Sequence, residues 1–471
     1  MINILENRTT KLTFFIVVSL SFTLFNSDNP FFWDSIVQVS VPANWYFDNN
    51  FMDVFLPDEY ATGHSTMVGF YLAVMWKIFG KSLVISHLAM LPFVFGILLQ
   101  LINLIRRANL NQRDSCLLLL AVVSDATLVS QMSMVTFDVV HIFFFLWCLN
   151  SIMNKRHINI FIAFTFLMLT SLRASLSGFG ILFFALYYNY LEDRRFTLNN
   201  FTPFLPGLMG FGILLLVFCL EKGWIIANPG APDFDNFIGF ASVKEVLRNI
   251  GLVGWRLIDF GRIGLWLVFL GILINSFKKK TLVDSFFRNI FYVALCQFIV
   301  IFPVVIIYRN PFGHRYFLPV IIAVSIIVTY WVLKHSRYKY LLFTLLIITL
   351  WSGYFWIYPL KIAQGWDATP AHWPYFKVRE TIMLRIKDKG IPYYEIGTFF
   401  PNTFSEKYTD LKDNGRKLKD ADLTSDQYIL YSNVYNADDI FIDELYDKSK
   451  WEPYLEEKRN RIFIILFRRV D

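Results

Sequence analysis

Residues 82–105 read SLVISHLAMLPFVFGILLQLINLI, a run of 24 residues without Asp, Glu, Lys or Arg. At about 1.5 Å per residue, a helix of this length reaches about 36 Å and crosses the roughly 30 Å hydrocarbon core of a bilayer. The whole chain has the same character, since 55% of its 471 residues are hydrophobic, only 17% are charged and the mean hydropathy is +0.46. Most of this chain is therefore expected to face lipid.

This length criterion, applied along the chain, predicts an all-α polytopic membrane protein with about 11 transmembrane helices. The predicted spans lie near residues 12–27, 82–105, 115–132, 138–153, 158–172, 175–190, 201–220, 261–277, 287–308, 315–333 and 340–358. Residues 1–358 then form a transmembrane catalytic domain, and residues 359–471 a small C-terminal α/β domain. In the latter, a helical pattern at 375–389 ends at Gly390, and strand-like runs follow at 392–400, 427–434 and 461–468.

The distribution of basic residues predicts how the spans are oriented. Lys and Arg concentrate in short connectors such as 106–113, 278–288 and 334–339, whereas segment 26–64 has neither and carries six acidic residues. Short connectors rich in Lys and Arg are typically cytoplasmic. This orientation requires residues 65–80 to lie along the membrane interface as an amphipathic helix, within a first outer loop at 26–81.

The N-terminus is then cytoplasmic and the C-terminal domain extracytoplasmic, in a plasma or inner membrane. The larger hydrophilic segments 26–64, 221–260 and 359–471 are all external, and the net charge of +7 does not indicate nucleic-acid binding. The cytoplasmic connectors are too short to hold a nucleotide, and neither a G-x-G-x-x-G motif nor a P-loop occurs. Any group that this protein transfers must therefore be carried in the membrane in activated form.

Two acidic residues are placed for chemistry at the outer membrane surface. Asp34 lies a few residues beyond the first span, in NPFFWDS, where a carboxylate can accept a proton from an incoming hydroxyl. Asp138 begins the fourth span, with His141 three residues later on the same helix face. The alternatives are that Asp34 is a solvated loop residue and that Asp138 is only a helix cap.

Cationic and histidine side chains lie at the same predicted depth. Arg173 occupies one tight outer turn, and His314 and Arg315 occupy another, against the positive-inside bias. His64 opens the interfacial helix, whose N-terminus attracts phosphate, and Lys222 ends the seventh span. A phosphate to be bound explains these positions. The alternative is that the side chains reach out to lipid headgroups.

These segments resemble the C-type (GT-C) glycosyltransferases, above all the protein O-mannosyltransferase and aminoarabinose transferase group, which use polyprenyl-phosphate sugars. The resemblance covers residues 28–320 and rests on the acidic first outer loop, on LP at 56–57, on GHST at 63–66 opening a helix that ends WKIFG at 76–80, and on HRYFLP at 314–319. It implies that Asp34 and Asp138 are the catalytic acids. It also implies that His64 contacts the donor phosphate.

The chain departs from the family in one respect. The first loop of the family often carries paired acids, whereas Ser35 follows Asp34 here, so Asp58 and Glu59 are secondary candidates for the base. No metal-ligand motif occurs, although two acids suffice to hold a divalent metal ion, and no other cofactor is indicated.

The sequence thus predicts a membrane glycosyltransferase that moves a sugar from a polyprenyl-phosphate donor to a protein, lipid or glycan on the outer face, with inversion. Asp34 would be the base and Asp138 would orient the acceptor or support the base. The departing phosphate would be stabilised by His64, Arg173, His314 and Arg315, with His141 and Lys222 as weaker candidates. The alternatives are a polytopic transporter or flippase, and a polysaccharide polymerase or ligase that uses pyrophosphate-linked oligosaccharides.

Overall fold

The computed structural model describes residues 8–53, 55–193, 198–225, 239–279, 284–309 and 312–470. Its first part is a bundle of apolar helices. The helices of this part are α1 (Arg8–Phe25), α2 (Val41–Asp48), α3 (Met67–Phe79), α4 (Leu83–Ile105), α5 (Gln112–Val123), α6 (Ala126–Met132), α7 (Phe137–Met153), α8 (His157–Thr170), α9 (Leu172–Asp193), α10 (Leu198–Phe201), α11 (Leu205–Lys222), α12 (Val243–Ile258), α13 (Ile263–Lys279), α14 (Ser285–Ile307), α15 (Leu318–His335) and α16 (Lys339–Ser352).

A helix occurs at each of the eleven predicted span positions, but the count of eleven spans is not confirmed. Five helical segments of the described chain are long and apolar enough to cross a membrane, or seven if each of two bent pairs is one span. The other apolar helices, such as α7 and α8, have 10–17 residues. The chain is an integral membrane protein with several membrane-spanning helices.

The two bent helix pairs are joined to each other at their bends. The α5–α6 pair is bent by 74° and the α12–α13 pair by 99°. Asp125 caps α6 at the first bend, and its carboxylate binds Arg262 at the second bend, with N···O distances of 2.6 and 2.9 Å. Arg262 also donates to the hydroxyl of Thr127. Both charged side chains are almost completely buried, at 0% and 1% exposure, so each neutralises the other and fixes the relative position of the two bends.

The first outer loop forms a short π-helix (Ile36–Ser40) that runs into α2, against which α3 packs. The buried side of α3 carries Val68, Leu72 and Trp76, which are four residues apart and therefore share one face. At 13 residues, α3 is about 20 Å long, too short to cross the hydrocarbon core upright. This length is compatible with the predicted interfacial position.

Segment 221–260, expected to be a hydrophilic loop, contains the amphipathic helix α12. Ser242 and Glu245 form a reciprocal cap at its start. Val243, Leu247 and Ile250 lie on one stripe and are exposed by 80%, 66% and 42%. This apolar stripe is covered by no part of the described chain, as is typical of helices that lie at a membrane surface.

The C-terminal part forms a small α/β domain. Its helices are α17 (Pro374–Asp388), α18 (Glu406–Thr409) and α19 (Asp439–Leu445), and its strands are β1 (Ile396–Thr398), β2 (Lys419–Asp420), β3 (Tyr428–Ser432), β4 (Trp451–Arg459) and β5 (Ile462–Arg469). The sheet order is β2-β1-β3-β5-β4, with β1 parallel to β2 and β3 and the other pairs antiparallel. The predicted helix and three strand runs correspond to α17, β1, β3 and β5. The charged edge strand β4 was not predicted.

Candidate active site

Asp34 is presented by a tightly fixed turn between α1 and the π-helix. The N–H of Phe31 donates to the carbonyl of Thr409 over 2.9 Å, and the Ser35 hydroxyl bonds to both the N–H and the carbonyl of Phe32. Trp33 adopts a left-handed conformation with φ of 51°, which reverses the chain direction just before Asp34. The Asp34 carboxylate is consequently held in place, yet its side chain keeps 36% exposure.

Asp138 and Arg173 form a buried ion pair at the starts of two helices. Asp138 lies in the first turn of α7, behind the Thr136 cap, and Arg173 lies in the first turn of α9. Both carboxylate oxygens lie 3.1–3.2 Å from Arg173 Nη1, and the side chains are 3% and 5% exposed. The guanidinium is also 4.9 Å from the centre of the Phe137 ring and 4.1 Å from that of Tyr316. Asp138 is therefore more than a helix cap.

Arg315 joins the carboxylates of the site. Its guanidinium forms ion pairs with Asp34 and with Asp367, and Nε lies 3.6 Å from Asp138 Oδ2. The Arg315 side chain is only 11% exposed. The structure thus brings together four residues that the sequence predicted for the site, namely Asp34, Asp138, Arg173 and Arg315.

Asp367 is the functional candidate that sequence reasoning missed. It lies in a short helical turn (Trp366–Ala368) that connects the last apolar helix to the C-terminal domain. Its backbone carbonyl accepts hydrogen bonds from Ser130 Oγ at 2.7 Å and Gln131 Nε2 at 2.9 Å, which hold the turn on α6. The signal was the same as for Asp34, an acidic residue shortly after the outer end of a predicted span.

With Asp367 included, the cluster has three carboxylates and two guanidiniums. Partial burial opposes ionisation of Asp34, but the positive charges of Arg315 and Arg173 outweigh that effect and lower the pKa of Asp34 below its usual 3.8. At neutral pH the Asp34 carboxylate is therefore charged and can accept a proton or a hydrogen bond.

His64 also reaches the cluster, but as a neutral side chain. Burial and the nearby Arg173 lower the pKa of His64 to about 4, against the opposing effect of Asp34. The His64 ring lies 5.7 Å from that of Phe137, and its Nδ1 is buried without a hydrogen-bond partner in the described chain. His64 can therefore donate or accept one hydrogen bond in the site, but it adds no positive charge.

His314 was predicted to act beside Arg315, and this placement is wrong. Its side chain is 0% exposed and its Nε2 lies 2.6 Å from Asp259 Oδ2, which also accepts from the Tyr358 hydroxyl. The reason is local geometry, because His314 and Arg315 are consecutive in a 3-10 turn (His314–Phe317), where neighbouring side chains point about 120° apart. Arg315 consequently faces the acids, while His314 anchors the turn to the α12–α13 bend.

The weaker candidates do not join the cluster. Lys222 Nζ pairs with Asp58 at 2.8 Å and donates to the carbonyl of Leu56 at 2.6 Å, while Asp58 is 69% exposed. Glu59 is exposed beside Asp58. His141 is buried on α7, and neither ring nitrogen has a hydrogen-bond partner in the described chain. It lies one turn beyond Asp138 on α7.

Little free space separates the site residues. The cavity lined by Asp34, Asp138, Arg315 and Asp367, among others, has a volume of about 10 Å³, enough for about one water molecule. A ligand larger than a water molecule can enter only if the ion pairs of Arg315 rearrange. Within the described residues, no group of three or more His, Cys, Asp and Glu side chains is arranged to hold a metal ion.

Comparison with solved structures identifies the architecture. The sequence matches no protein-family model, and no curated protein matches it. The crystal structure of ArnT from Cupriavidus metallidurans bound to undecaprenyl phosphate superposes with a TM-score of 0.53 at 12% sequence identity, covering 98% of both chains. The apo structure of the same protein superposes with a TM-score of 0.51 at 13% identity, covering 97% of this chain and 98% of that one. This chain therefore has the fold of ArnT, the GT-C fold of the family that its outer-loop motifs resemble.

Proposed function

We propose that this protein is a glycosyltransferase that transfers a sugar from a polyprenyl-phosphate donor to an acceptor at the extracytoplasmic surface of an inner membrane. The observation that supports it most is a single cluster of charged side chains. Asp138, Arg173 and Arg315 lie at the starts of α7, α9 and α15, and Asp34 and Asp367 contact Arg315 from two turns. Carboxylates beside guanidiniums are the groups needed to activate an acceptor and to stabilise a departing phosphate. The fold is that of ArnT, which was crystallised with undecaprenyl phosphate.

Arg315 is proposed to exchange partners when the donor arrives. A guanidinium binds phosphate as well as carboxylate, in the same forked geometry. The donor phosphate would take the place of Asp34 on Arg315, and the freed Asp34 carboxylate would then face the acceptor. The small cavity fits this scheme, because the Asp34–Arg315 pair fills the space beside Asp138 and Asp367 that a phosphate would need.

The bond changes follow from this arrangement. The acceptor hydroxyl or amine gives its proton to the Asp34 carboxylate as its oxygen or nitrogen bonds to the anomeric carbon. The bond between that carbon and the phosphate oxygen breaks, and its electron pair leaves with the polyprenyl phosphate. Arg315 and Arg173 stabilise the charge on this leaving group, and attack from the opposite side inverts the anomeric configuration.

The remaining residues support this chemistry. Asp138 holds Arg173 over the two aromatic rings and keeps a second carboxylate 3.6 Å from Arg315. Asp259 fixes His314, and through it the turn that carries Arg315, so His314 is a positioning residue in this proposal. His64 would donate a hydrogen bond to the phosphate.

The test is a transfer assay with the purified full-length protein and defined lipid donors. Undecaprenyl-phosphate monosaccharides and undecaprenyl-pyrophosphate oligosaccharides are supplied side by side, and release of the lipid phosphate is followed. The proposal predicts turnover of a monosaccharide phosphate that is lost in Asp34→Asn and kept in Asp48→Asn. Asp48 is the matched control because it is a paired acid of the same loop with 38% exposure.

Two other outcomes would each refute the proposal. Turnover of pyrophosphate donors alone would indicate a polysaccharide polymerase or ligase. Movement of a labelled donor lipid across vesicle membranes, without turnover of any donor, would indicate a flippase.

A further inference from the structure

A second polar pocket lies at the opposite ends of the helices that carry the candidate active site. It is lined by Arg107 after α4, Met153 at the end of α7, Tyr188 near the end of α9, and Ser285, Arg288 and Asn289 at the start of α14. Asp138 begins α7 and Arg173 lies in the first turn of α9, while Met153 and Tyr188 lie about 22 Å farther along the same two helices. The pocket therefore lies at the opposite end of the helix bundle from the acids.

The pocket combines three features that attract an anion. Two guanidiniums line it, and Arg107 is oriented by a hydrogen bond to Asn154. The N-terminus of α14, a helix of 23 residues, points its positive dipole end toward the same space. No acidic side chain is found among the described residues that line the pocket. The nearby Asp284, which caps α14, is held by Lys334 at 2.8 Å.

Asn289 gives the pocket a buried polar wall. The residue is only 9% exposed, and its Oδ1 has no hydrogen-bond partner among the described residues. A buried amide oxygen without a partner is costly, so a hydroxyl or ammonium donor on a ligand would satisfy it. The requirement is for a ligand that carries both a phosphate and a hydrogen-bond donor.

Size and position distinguish between ligands of this kind. The cavity volume is about 260 Å³, at the lower end of small-molecule sites and suited to a headgroup rather than to a nucleotide. The pocket lies between the ends of helices that are long and apolar enough to cross a membrane, and basic pockets between such helices bind anionic lipids. We infer that this pocket binds a phosphate group, supplied by the headgroup of an anionic phospholipid such as a phosphatidylglycerol.

The experiment measures lipid binding to the full-length protein in detergent by native mass spectrometry. The probes are phosphatidylglycerol and phosphatidylcholine, with inorganic phosphate as competitor. Arg288→Gln should lower the affinity for phosphatidylglycerol by about tenfold, as expected for loss of one charge-assisted contact. The affinity for phosphatidylcholine should not change. The control is Arg337→Gln, because Arg337 lies at the same membrane end, over the ring of Tyr338 and outside the pocket.

Each outcome supports the inference, overturns it, or identifies the source of the bound phosphate. Competition by inorganic phosphate would support a site that recognises phosphate alone, and binding of phosphatidylglycerol without such competition would support a lipid site. Equal binding of both lipids, or equal effects of Arg288→Gln and Arg337→Gln, would overturn the inference. Arg107→Gln provides a second variant of the pocket. This inference does not depend on the proposed transfer reaction, so failure of the transfer assay would leave it standing.

Discussion

Replacement of Asp34 by Asn is expected to strengthen binding of the carrier lipid while abolishing transfer. In the structure Asp34 forms an ion pair with Arg315, and in the proposed reaction the lipid phosphate displaces Asp34 from that pair. The Asp34 side chain is 36% exposed, and ion pairs of that exposure are worth about 0.2–1 kcal/mol. Removal of the negative charge also relieves repulsion between carboxylate and phosphate. Together these effects predict undecaprenyl phosphate affinity that is about threefold to tenfold higher in Asp34→Asn.

Transfer should change in the opposite direction in the same variant. Loss of a general base typically lowers a rate by about 10²–10⁴. The assay measures undecaprenyl phosphate binding by native mass spectrometry and donor turnover by release of the lipid phosphate. Arg315→Gln should lose both activities, and Asp48→Asn should keep both. Weaker or unchanged lipid binding in Asp34→Asn would refute the partner exchange at Arg315, whatever happens to turnover.

Three further predictions follow from charge, burial and steric contact. The value of kcat/KM, which reports the free enzyme, should be constant between about pH 5 and 8 and fall only in more acidic solution, because the pKa of Asp34 lies below 3.8 and that of His64 at about 4. An inflection near pH 6.5 in the profile of kcat/KM would contradict this prediction. Asp138→Asn should lower the free energy of unfolding by about 3 kcal/mol, since it leaves the buried guanidinium of Arg173 without its carboxylate. Denaturant unfolding in detergent measures this loss, and a loss under about 1 kcal/mol would be contrary evidence. Gly353→Ala should destabilise the protein by about 2 kcal/mol, because a Cβ there would lie 2.1 Å from the backbone carbonyl oxygen of Phe260. The control is Gly212→Ala, whose added Cβ would have no atom within 4 Å, so the melting temperature should not change.

Much of the helical layout could be predicted because hydrophobic length and basic connectors are local properties of the sequence. The same information placed Asp34, Asp138 and Arg173 at one depth, which is sufficient for them to meet once the helices pack. It was insufficient for the bends, because a break such as that at Asp125 depends on a partner far away in the sequence, here Arg262. Length and composition alone therefore did not determine how many helices cross the membrane.

The structure differs from the predicted site at His314 and at Asp367, and the two differences have separate physical causes. His314 and Arg315 are adjacent in sequence, so their sequence context is nearly identical, and only the geometry of the turn sends them to different partners. Asp367 carries the same local signal as Asp34, an acid shortly after a predicted span, but its contact with Ser130, 237 positions earlier in the chain, leaves no local pattern. Both are matters of tertiary packing that a single sequence does not contain.

The origin of Asp367 in the segment after the last apolar helix has a consequence for protein engineering. A hybrid that joins this helical bundle to another protein's tail at residue 358 would exchange one of the carboxylates on Arg315 along with the sheet. Such a graft would alter the charge of the reaction centre even if every helix folded as before. A junction placed after the Trp366–Ala368 turn keeps the native set of acids intact.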